Sequence, residues 1–265
     1  MDIGDPLDFT GRAVVVTGGT RGIGAAIAEA FLTAGADVLV CGRSAPATLP
    51  GSGGRPCAFR ATDVRDPEAA AALVDAAVAR FGRLDVLVNN AGGSPAVDAA
   101  TASPRFVEKV VALNLLAPFY VAQAANRVMQ TQDEGGSVIN IGSVAARTPQ
   151  PGTAAYTAAK AGLLGLTRAL ALEWAPLVRV NHITTGLIHT ESAAEVYGED
   201  GGKAVAGIVP MRRMAVPDDV AHACLYLAST LSAYVSGADL AVHGGGEVPA
   251  RHLVADPARN PFSSS

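Results

Sequence analysis

Short apolar segments alternate with longer alanine- and leucine-rich segments along nearly the whole chain, and this alternation constrains the fold more than any other feature. The short segments are rich in β-branched residues, as in Ala13–Thr17 (AVVVT), and are typical of buried strands. The longer segments have the length and composition of helices. Strands that alternate with helices build a parallel sheet with helices on both faces. We therefore expect an α/β protein with one doubly wound parallel sheet.

The predicted elements follow one another regularly. Strands are predicted at Ala13–Thr17, Asp37–Cys41, Cys57–Ala61, Leu84–Asn89, Ser137–Ile141, Val178–Ile183 and Ala238–Val242. Helices are predicted at Ile23–Ala34, Asp66–Phe81, Ser103–Met129, Thr153–Trp174 and Pro217–Leu227. Asp66 and Pro67 suit the N-cap and the first position of the second helix. Seven strands with intervening helices indicate a Rossmann-type sheet.

The 265 residues are expected to form a single domain, residues 1–265, with its core between residues 10 and 246. Ala45–Pro56 is rich in glycine and proline and is predicted to be an irregular loop. Thr190–Met214 breaks the alternation, and it is the candidate substrate loop because ligands bind beyond the carboxyl ends of such strands. Residues 247–265 form a C-terminal extension.

Composition narrows the class of protein. Hydrophobic residues make up 49% and charged residues 17%, which suits a large core, and the net charge of -4 argues against a nucleic-acid partner. Three cysteines without a CxxC pair fit neither a disulfide framework nor a zinc site, and predict free thiols in a reducing compartment. We find neither a secretory signal nor an apolar segment of membrane-spanning length, so we expect a cytoplasmic protein without a membrane partner.

A glycine-rich turn follows the first strand and opens the first helix. Gly18, Gly22 and Gly24 have the spacing G-x-x-x-G-x-G within TGGTRGIG. Glycine lets the backbone approach a pyrophosphate closely, and a helix N-terminus adds N–H donors and partial positive charge. Alone, such a turn can be purely structural, but its place between strand and helix predicts a nucleotide site.

The end of the second strand indicates which nucleotide binds. A site for NAD places an acidic side chain there to bind the ribose 2′-hydroxyl. This chain has Cys41, Gly42 and Arg43 instead, and Arg43 together with Arg21 can pair with a 2′-phosphate. The alternative is that both arginines are solvated surface residues. The pattern favours NADP, with NAD less favoured.

Tyr156 and Lys160 are the candidate catalytic pair. They are four residues apart in a predicted helix, so their side chains share one face. A neighbouring ammonium lowers the pKa of a tyrosine from about 10 and suits it to acid–base work on a carbonyl or alcohol. Ser143, after the fifth strand, can hydrogen-bond the same substrate oxygen. In isolation, each of these residues also fits an ordinary surface position.

Taken together, these motifs resemble the short-chain dehydrogenase/reductase family, of the 3-oxoacyl-reductase type. The resemblance runs from Thr17 to about Gly246. It adds Asp63-Val64 after the third strand, Asn89-Asn90-Ala91-Gly92 after the fourth, and Asn114 in VALNLLAPF. Thirteen positions separate Ser143 from Tyr156, the usual gap in the family.

The resemblance implies a role for each matching residue. Tyr156 would be the general acid/base, Lys160 would bind the nicotinamide ribose, and Ser143 would orient the carbonyl. Asn114 would hold a relay water, and the alternative is that it kinks the helix and satisfies backbone groups. Asp63 would accept a hydrogen bond from the adenine amino group. The full set expected around the cofactor is Gly18, Thr20, Arg21, Gly22, Ile23, Gly24, Arg43, Asp63, Val64, Asn90, Ala91, Gly92, Tyr156, Lys160, Gly186, Ile188 and Thr190.

Three features depart from the family pattern. Thr185 replaces a usual proline before Gly186, which predicts a looser loop around the nicotinamide carboxamide. His243 replaces the aspartate of a usual Asp-Gly-Gly, and we interpret it as structural. The C-terminal extension is longer than in a minimal member, and it is a hypothesis that it covers a neighbouring subunit's active site.

The leading hypothesis is an oxidoreductase that transfers hydride between NADP(H) and a ketone or secondary alcohol. Apolar residues in Thr190–Met214 favour a lipophilic substrate such as a steroid, polyketide or acyl thioester. A 3-oxoacyl-thioester reductase, with Arg212 and Arg213 near a phosphate, is the alternative within this class. A non-catalytic NADP-binding sensor or scaffold is the alternative from another class. The family implies a homotetramer or dimer built through the two long helices and the last strand.

Overall fold

The computed structural model describes residues 5–191, 197–198 and 202–249. The strands are β1 Ala13–Thr17, β2 Asp37–Gly42, β3 Gly51–Ser52, β4 Arg55–Pro56, β5 Ala58–Ala61, β6 Val86–Asn89, β7 Gly136–Ile141, β8 Val178–Thr185 and β9 Asp239–Val242. The α-helices are α1 Gly22–Thr33, α2 Pro67–Phe81, α3 Pro104–Val111, α4 Ala117–Met129, α5 Ala154–Glu173, α6 Lys203–Ala206 and α7 Pro217–Ala228.

Seven strands form one parallel sheet in the order β5-β2-β1-β6-β7-β8-β9. The order reverses direction between β1 and β6, which creates a crevice at the carboxyl ends of these strands. The predicted doubly wound sheet is confirmed. The Gly/Pro-rich loop differs from its prediction, because it contains the short antiparallel pair β3–β4.

Successive side chains of β1 enter different cores, because side chains alternate across a strand. Val14 and Val16 pack with residues of α1 and α7 on one face of the sheet. Val15 packs with residues of α2 and α4 on the other face. Helices on both faces therefore bury the sheet, which explains why its central strands are apolar without alternation.

The segment from Pro104 to Met129 is not the single regular helix predicted. A π-helical turn at Ala112–Leu116 separates α3 from α4. This segment is also long and apolar enough, by length and composition alone, to cross a membrane, so the prediction that no such segment exists was wrong. Buried residues of α4, including Val121 and Met129, pack in the core beside α2, which is the arrangement of a core helix.

The helix boundaries follow local chemistry. Asp66 caps α2 by accepting a hydrogen bond from the Glu68 N–H at 2.9 Å, as predicted. Gly82 ends α2 in the left-handed conformation, which glycine adopts at low cost. The three thiols of Cys41, Cys57 and Cys224 are free and buried, in agreement with the sequence.

Candidate active site

A cleft of about 830 Å³ opens at the carboxyl ends of the strands. Its walls come from segments far apart in the sequence: the turn before α1, the ends of β2, β5, β6 and β7, and one face of α5. This is the edge at which ligands bind in doubly wound sheets. The volume is that of a small-molecule or cofactor site.

The glycine turn lines one end of the cleft and leaves no room for side chains. A Cβ on Gly24 would lie 2.3 Å from the Gly18 carbonyl oxygen. Gly18 has a φ of +62° and approaches the Cα of Ala91. The Asn90 amide donates to the Thr17 carbonyl oxygen at 2.9 Å and fixes the turn against β6. The turn therefore presents bare backbone and the N-terminus of α1 to the cleft, as pyrophosphate binding requires.

Arginines cluster in the cleft wall at the end of β2. Arg43 lines the cleft together with Arg21 and Arg65. Residues 41–44 are Cys-Gly-Arg-Ser, without a carboxylate. Asp63 accepts a hydrogen bond from Arg65 Nε at 2.9 Å, and this contact is the main cause of the lowered pKa of Asp63. This part of the cleft is suited to a phosphate group.

Ser143, Tyr156 and Lys160 come together at the other end of the cleft. Ser143 follows β7, whereas Tyr156 and Lys160 lie one turn apart on α5. The Ser143 hydroxyl lies close enough to the Tyr156 phenol to favour its ionised form and lower its pKa. Lys160 Nζ lies 5.8 Å from the centre of the Tyr156 ring and donates to the Ile141 carbonyl oxygen at 2.7 Å. Ser143 and Tyr156 thus place two hydroxyl groups side by side, with the Lys160 ammonium beside the phenol ring.

Burial sets the protonation of this pair. It raises the pKa of Tyr156, although the Ser143 hydrogen bond opposes the change. It lowers the pKa of Lys160 to about 8. The predicted lowering of the tyrosine pKa is therefore wrong for the protein groups alone, because desolvation outweighs the opposing effect of Ser143. Tyr156 is a neutral phenol at neutral pH, the form that can donate a proton to a carbonyl oxygen.

Asn114 lies behind the catalytic residues in the π-helical turn and is fully buried. Its Oδ1 accepts from the Gly93 N–H at 2.9 Å, and its Nδ2 donates to the carbonyl oxygens of Gly93 and Val110. A Cβ on Gly92 would lie 2.8 Å from Asn114 Oδ1 and 3.3 Å from Lys160 Nζ. The side chain of Asn114 thus holds the loop after β6, and Gly92 allows the close approach to Lys160.

The Thr185-Gly186 segment is firmly tethered. The Thr185 hydroxyl donates to the Gly142 carbonyl oxygen at 2.9 Å, and the Gly186 N–H donates to the Val242 carbonyl oxygen at 2.9 Å. Ile188 pairs with Ala215 in an isolated parallel bridge. A buried hydroxyl thus supplies a constraint at the position that lacks the proline, and the looser loop expected there stays a prediction. His243 packs its Cβ against Gly186, as a structural residue would.

Most of the predicted cofactor residues line the cleft, and the exceptions are close by. Ser143 directly follows the cleft residue Gly142, and Asn114 hydrogen-bonds the cleft residue Gly93. Gly186 and Ile188 lie in the segment between Thr185 and Thr190, two residues that line the cleft. Glu191, in the predicted substrate loop Thr190–Met214, also lines the cleft. The cleft further contains residues that the sequence reasoning did not select: Ser44, Arg65 and Gly93. Arg65 was detectable, because it is a cation two residues after Asp63.

The substrate loop is described only in part. Residues 192–196 and 199–201 lie outside the described residues, and with them Glu195, Val196, Glu199 and Asp200 of the predicted substrate loop Thr190–Met214. Of the described residues, Val209 and Met214 are buried and Met211 is exposed. Arg213 pairs with Asp219 through two hydrogen bonds, of 2.6 and 2.8 Å. The extension from residue 250 onward also lies outside the described residues.

Known proteins resemble this chain over most of its length. The family model described as enoyl-(acyl carrier protein) reductase matches residues 18–247. D-threitol dehydrogenase of Mycolicibacterium smegmatis is 37% identical, covering 89% of this chain and 92% of that protein. 3β-hydroxysteroid dehydrogenase 1 of Eggerthella lenta is 36% identical, covering 90% and 94%.

A solved structure agrees with these relatives. The ligand-free aldohexose dehydrogenase of Thermoplasma acidophilum has a TM-score of 0.82 and 30% identity, covering 90% of this chain and 94% of that chain. The parallel sheet, the glycine turn and the Ser143, Tyr156 and Lys160 cluster occupy the places expected from the resemblance. The chain belongs to the short-chain dehydrogenase/reductase family of oxidoreductases.

Proposed function

We propose that this protein is an NADP(H)-dependent oxidoreductase that interconverts a ketone and a secondary alcohol, with Tyr156 as the general acid/base. The observation that carries the proposal is the grouping of Ser143, Tyr156 and Lys160 at one end of a cleft whose other end is bare glycine backbone. The nicotinamide supplies or accepts the hydride. Residues of the chain donate and accept the proton and orient the substrate.

Each residue contributes through a specific group. The Ser143 and Tyr156 hydroxyls hydrogen-bond the substrate oxygen, and the Tyr156 proton moves to it during reduction. Lys160 carries positive charge below about pH 8 and favours the phenolate that remains. Asn114 holds the loop of Gly92 and Gly93 beside Lys160, and it is the candidate for positioning the relay water.

The preference for NADP over NAD rests on the end of β2. Arg43 and Ser44 stand where an acidic residue would bind a ribose 2′-hydroxyl, and Arg21 lines the same cleft. Arg65 also lines it, but Asp63 already engages its guanidinium. A 2′-phosphate gains charge-assisted hydrogen bonds from such arginines. The residues proposed to hold the rest of the cofactor are those assigned above, from the glycine turn to Gly186, Ile188 and Thr190.

The substrate proposed is lipophilic, of the steroid, polyketide or acyl-thioester type. Buried Val209 and Met214 in the described part of the substrate loop and the similarity to a steroid dehydrogenase support this choice. The alternative of a 3-oxoacyl-thioester reductase is favoured by the acyl-carrier-protein description of the family model. Arg213 is a poor phosphate ligand for it, because Asp219 already engages its guanidinium. The similarity to D-threitol dehydrogenase makes a polyol the competing substrate class.

The test is turnover of NADPH and NADH with a panel of steroid ketones, a 3-oxoacyl thioester and a keto-sugar. Tyr156→Phe is expected to lower kcat/KM at least about a hundredfold, the usual contribution of a general acid. Its affinity for NADPH is expected to stay within a few-fold of wild type. Full activity in Tyr156→Phe would exclude this mechanism, and cofactor binding without any turnover would favour the sensor or scaffold.

We also propose a cytoplasmic homo-oligomer, a tetramer or dimer that pairs through α4 and α5. Free buried thiols suit a reducing compartment, and Leu172 on α5 is 84% exposed in the single chain. A large exposed leucine on a long helix is consistent with contact with a second copy. Light scattering that gave a monomer mass would refute this assembly.

A further inference from the structure

His182 is a buried histidine to which the proposed mechanism gives no role. It lies on β8 opposite Asn140 of β7, and its side chain is 0% exposed. Its Nδ1 lies 2.8 Å from Asp239 Oδ1 on the neighbouring strand β9. Its Nε2 is buried and has no hydrogen-bond partner among the described residues. An unpaired buried nitrogen costs folding free energy, so its retention calls for an explanation.

The imidazole lies directly beneath the main chain that leads to Ser143. A Cβ on Gly142 would lie 2.0 Å from His182 Cε1 and 2.1 Å from Nε2, so the ring edge occupies the space of a side chain. The φ of Gly142 is not in the left-handed region, so contact with His182, rather than backbone conformation, excludes a larger residue there.

Gly142 is held by β8 on three sides. Its N–H donates to the Ile183 carbonyl oxygen at 2.7 Å, and its carbonyl oxygen accepts from the Thr185 hydroxyl at 2.9 Å. The ring of His182 supplies the third contact. Ser143 follows immediately, so the position of its hydroxyl depends on where this clamp holds Gly142.

Asp239 fixes the tautomer of the imidazole. The Thr184 hydroxyl donates to Asp239 Oδ1 at 2.7 Å, and Arg147 pairs with the other carboxylate oxygen. Burial opposes ionisation of this carboxyl, but hydrogen bonds from Thr184 and His182 outweigh it and lower the pKa of Asp239. An ionised carboxylate cannot donate, so Nδ1–H of His182 donates and the unprotonated Nε2 faces Gly142.

We infer that His182 is a positioning residue for the reduction, in which the neutral imidazole held by Asp239 supports Gly142 and thereby places the Ser143 hydroxyl against Tyr156. The inference rests on the proposed roles of Ser143 and Tyr156. Protonation at Nε2 would place an N–H without an acceptor against Gly142. Acid therefore displaces the loop that carries Ser143.

Burial of the ring opposes its protonation more strongly than the surrounding charges favour it. Asp239 on β9 attracts the proton, whereas Lys160 on α5 and Arg147 after β7 repel it. Burial is the largest influence and lowers the pKa of His182 below its ordinary value of about 6.5. Because the folded-state pKa is depressed, this group's contribution to stability is complete above about pH 6.5 and is lost as the pH falls through the folded-state value.

A double-mutant cycle tests the contact without relying on activity. Gly142→Ala should collide with the ring and lower Tm, and Gly142→Ala combined with His182→Ala should recover much of that loss, because the new methyl enters the space left by the ring. If the Tm change of the double variant equalled the sum of the two single changes, the two residues would be independent and the proposed contact would be wrong. Because the double-mutant cycle is measured by Tm, it tests the contact even if the proposed oxidoreductase activity is not found.

The catalytic consequence is tested with His182→Asn, which can still donate to Asp239 but does not titrate. We expect kcat/KM at pH 7.5 to stay within a few-fold of wild type and the acid limb of the profile to lose one ionisation. His182→Ala should lower kcat about tenfold through misplacement of Ser143, with KM for NADPH unchanged. His222→Asn, at an exposed position on α7, is the matched control. If the acid limb of the pH profile of kcat/KM were the same in both His182 variants as in the wild type, the positioning role would be refuted.

Discussion

The ammonium group of Lys160 donates a 2.7 Å hydrogen bond to the carbonyl oxygen of Ile141, while only 4% of the residue is exposed. Burial with a single neutral acceptor lowers the pKa of this lysine to about 8. Because the folded state disfavours the charged form, Lys160 stabilises folding less as the pH falls from the unfolded value of about 10.4 through about 8. The same titration removes the positive charge from the proposed cofactor site above about pH 8.

We therefore expect the affinity for NADPH to weaken as the pH rises from about 7 to about 9, by about tenfold if the ammonium makes one charge-assisted hydrogen bond to the ribose. Fluorescence titration across this range measures it. Lys160→Met should bind weakly at every pH, with little dependence on pH. Lys109→Met, at an exposed position on α3, is the control. A wild-type affinity independent of pH would contradict the role given to Lys160.

Arg43 should determine the choice between the two dinucleotides. Arg43→Glu is expected to weaken NADPH binding about ten- to a hundredfold, because a charge-assisted hydrogen bond is lost and the 2′-phosphate meets a carboxylate. Affinity for NADH should rise. Arg60→Glu makes the same charge change on exposed β5, outside the cleft, and should leave the ratio unchanged. If both variants changed the ratio of NADPH to NADH affinity equally, Arg43 would act only through its charge at the surface and not through a specific contact with the 2′-phosphate.

Gly92 should be intolerant of even one methyl group. Gly92→Ala would place a Cβ 2.8 Å from Asn114 Oδ1 and 3.3 Å from Lys160 Nζ, so both groups must move. We expect kcat/KM to fall about tenfold to a hundredfold, since small displacements at a catalytic site have effects of this size. Gly165→Ala on α5, where nothing lies within 4 Å of the added Cβ, is the control. It should raise stability by up to about 1 kcal/mol.

Asp85 should matter for stability and not for turnover. It is buried at the end of the sheet opposite the cleft, where it accepts from the Ala13 N–H at 2.8 Å and pairs with Arg12 and Arg83. Asp85→Ala is expected to cost about 2 kcal/mol of unfolding free energy, the contribution of a hydrogen bond to a charged group. Glu134→Gln, at the exposed edge of the same network, should cost under about 1 kcal/mol. Denaturant titration compares the two, and kcat should be unaltered in both.

Local patterns were enough to predict the sheet. Ala13–Thr17 is a strand with the bounds predicted, because a run of β-branched residues buried on both faces has one favourable conformation. The grouping of Ser143, Tyr156 and Lys160 was also predictable, since parallel strands bring their carboxyl ends to one edge. A kink at Asn114 was one of the two interpretations of that residue, but its form as a π-helical turn bonded to Gly93 was not predictable, because Gly93 is distant in sequence.

The electrostatic outcome was less predictable than the geometry. A lysine one turn from a tyrosine suggests a lowered phenol pKa, but the depth at which Tyr156 is buried reverses the direction. Likewise, the VRVNHI sequence gives no sign that His182 faces Gly142 rather than another residue, since that contact joins neighbouring strands. Burial is a property of the packed molecule, and a linear pattern does not report it.

Thr185 has a consequence for how ligands influence one another. Its hydroxyl joins the strand end that leads to Thr190 with the main chain that leads to Ser143. A molecule that shifts one of these segments also shifts the other. Thermodynamic linkage then requires reciprocity: if bound nicotinamide strengthens substrate binding by some factor, bound substrate strengthens nicotinamide binding by the same factor. The hydroxyl of Thr185, where the family usually has a proline, is thus a direct hydrogen-bonded connection between the two halves of the cleft.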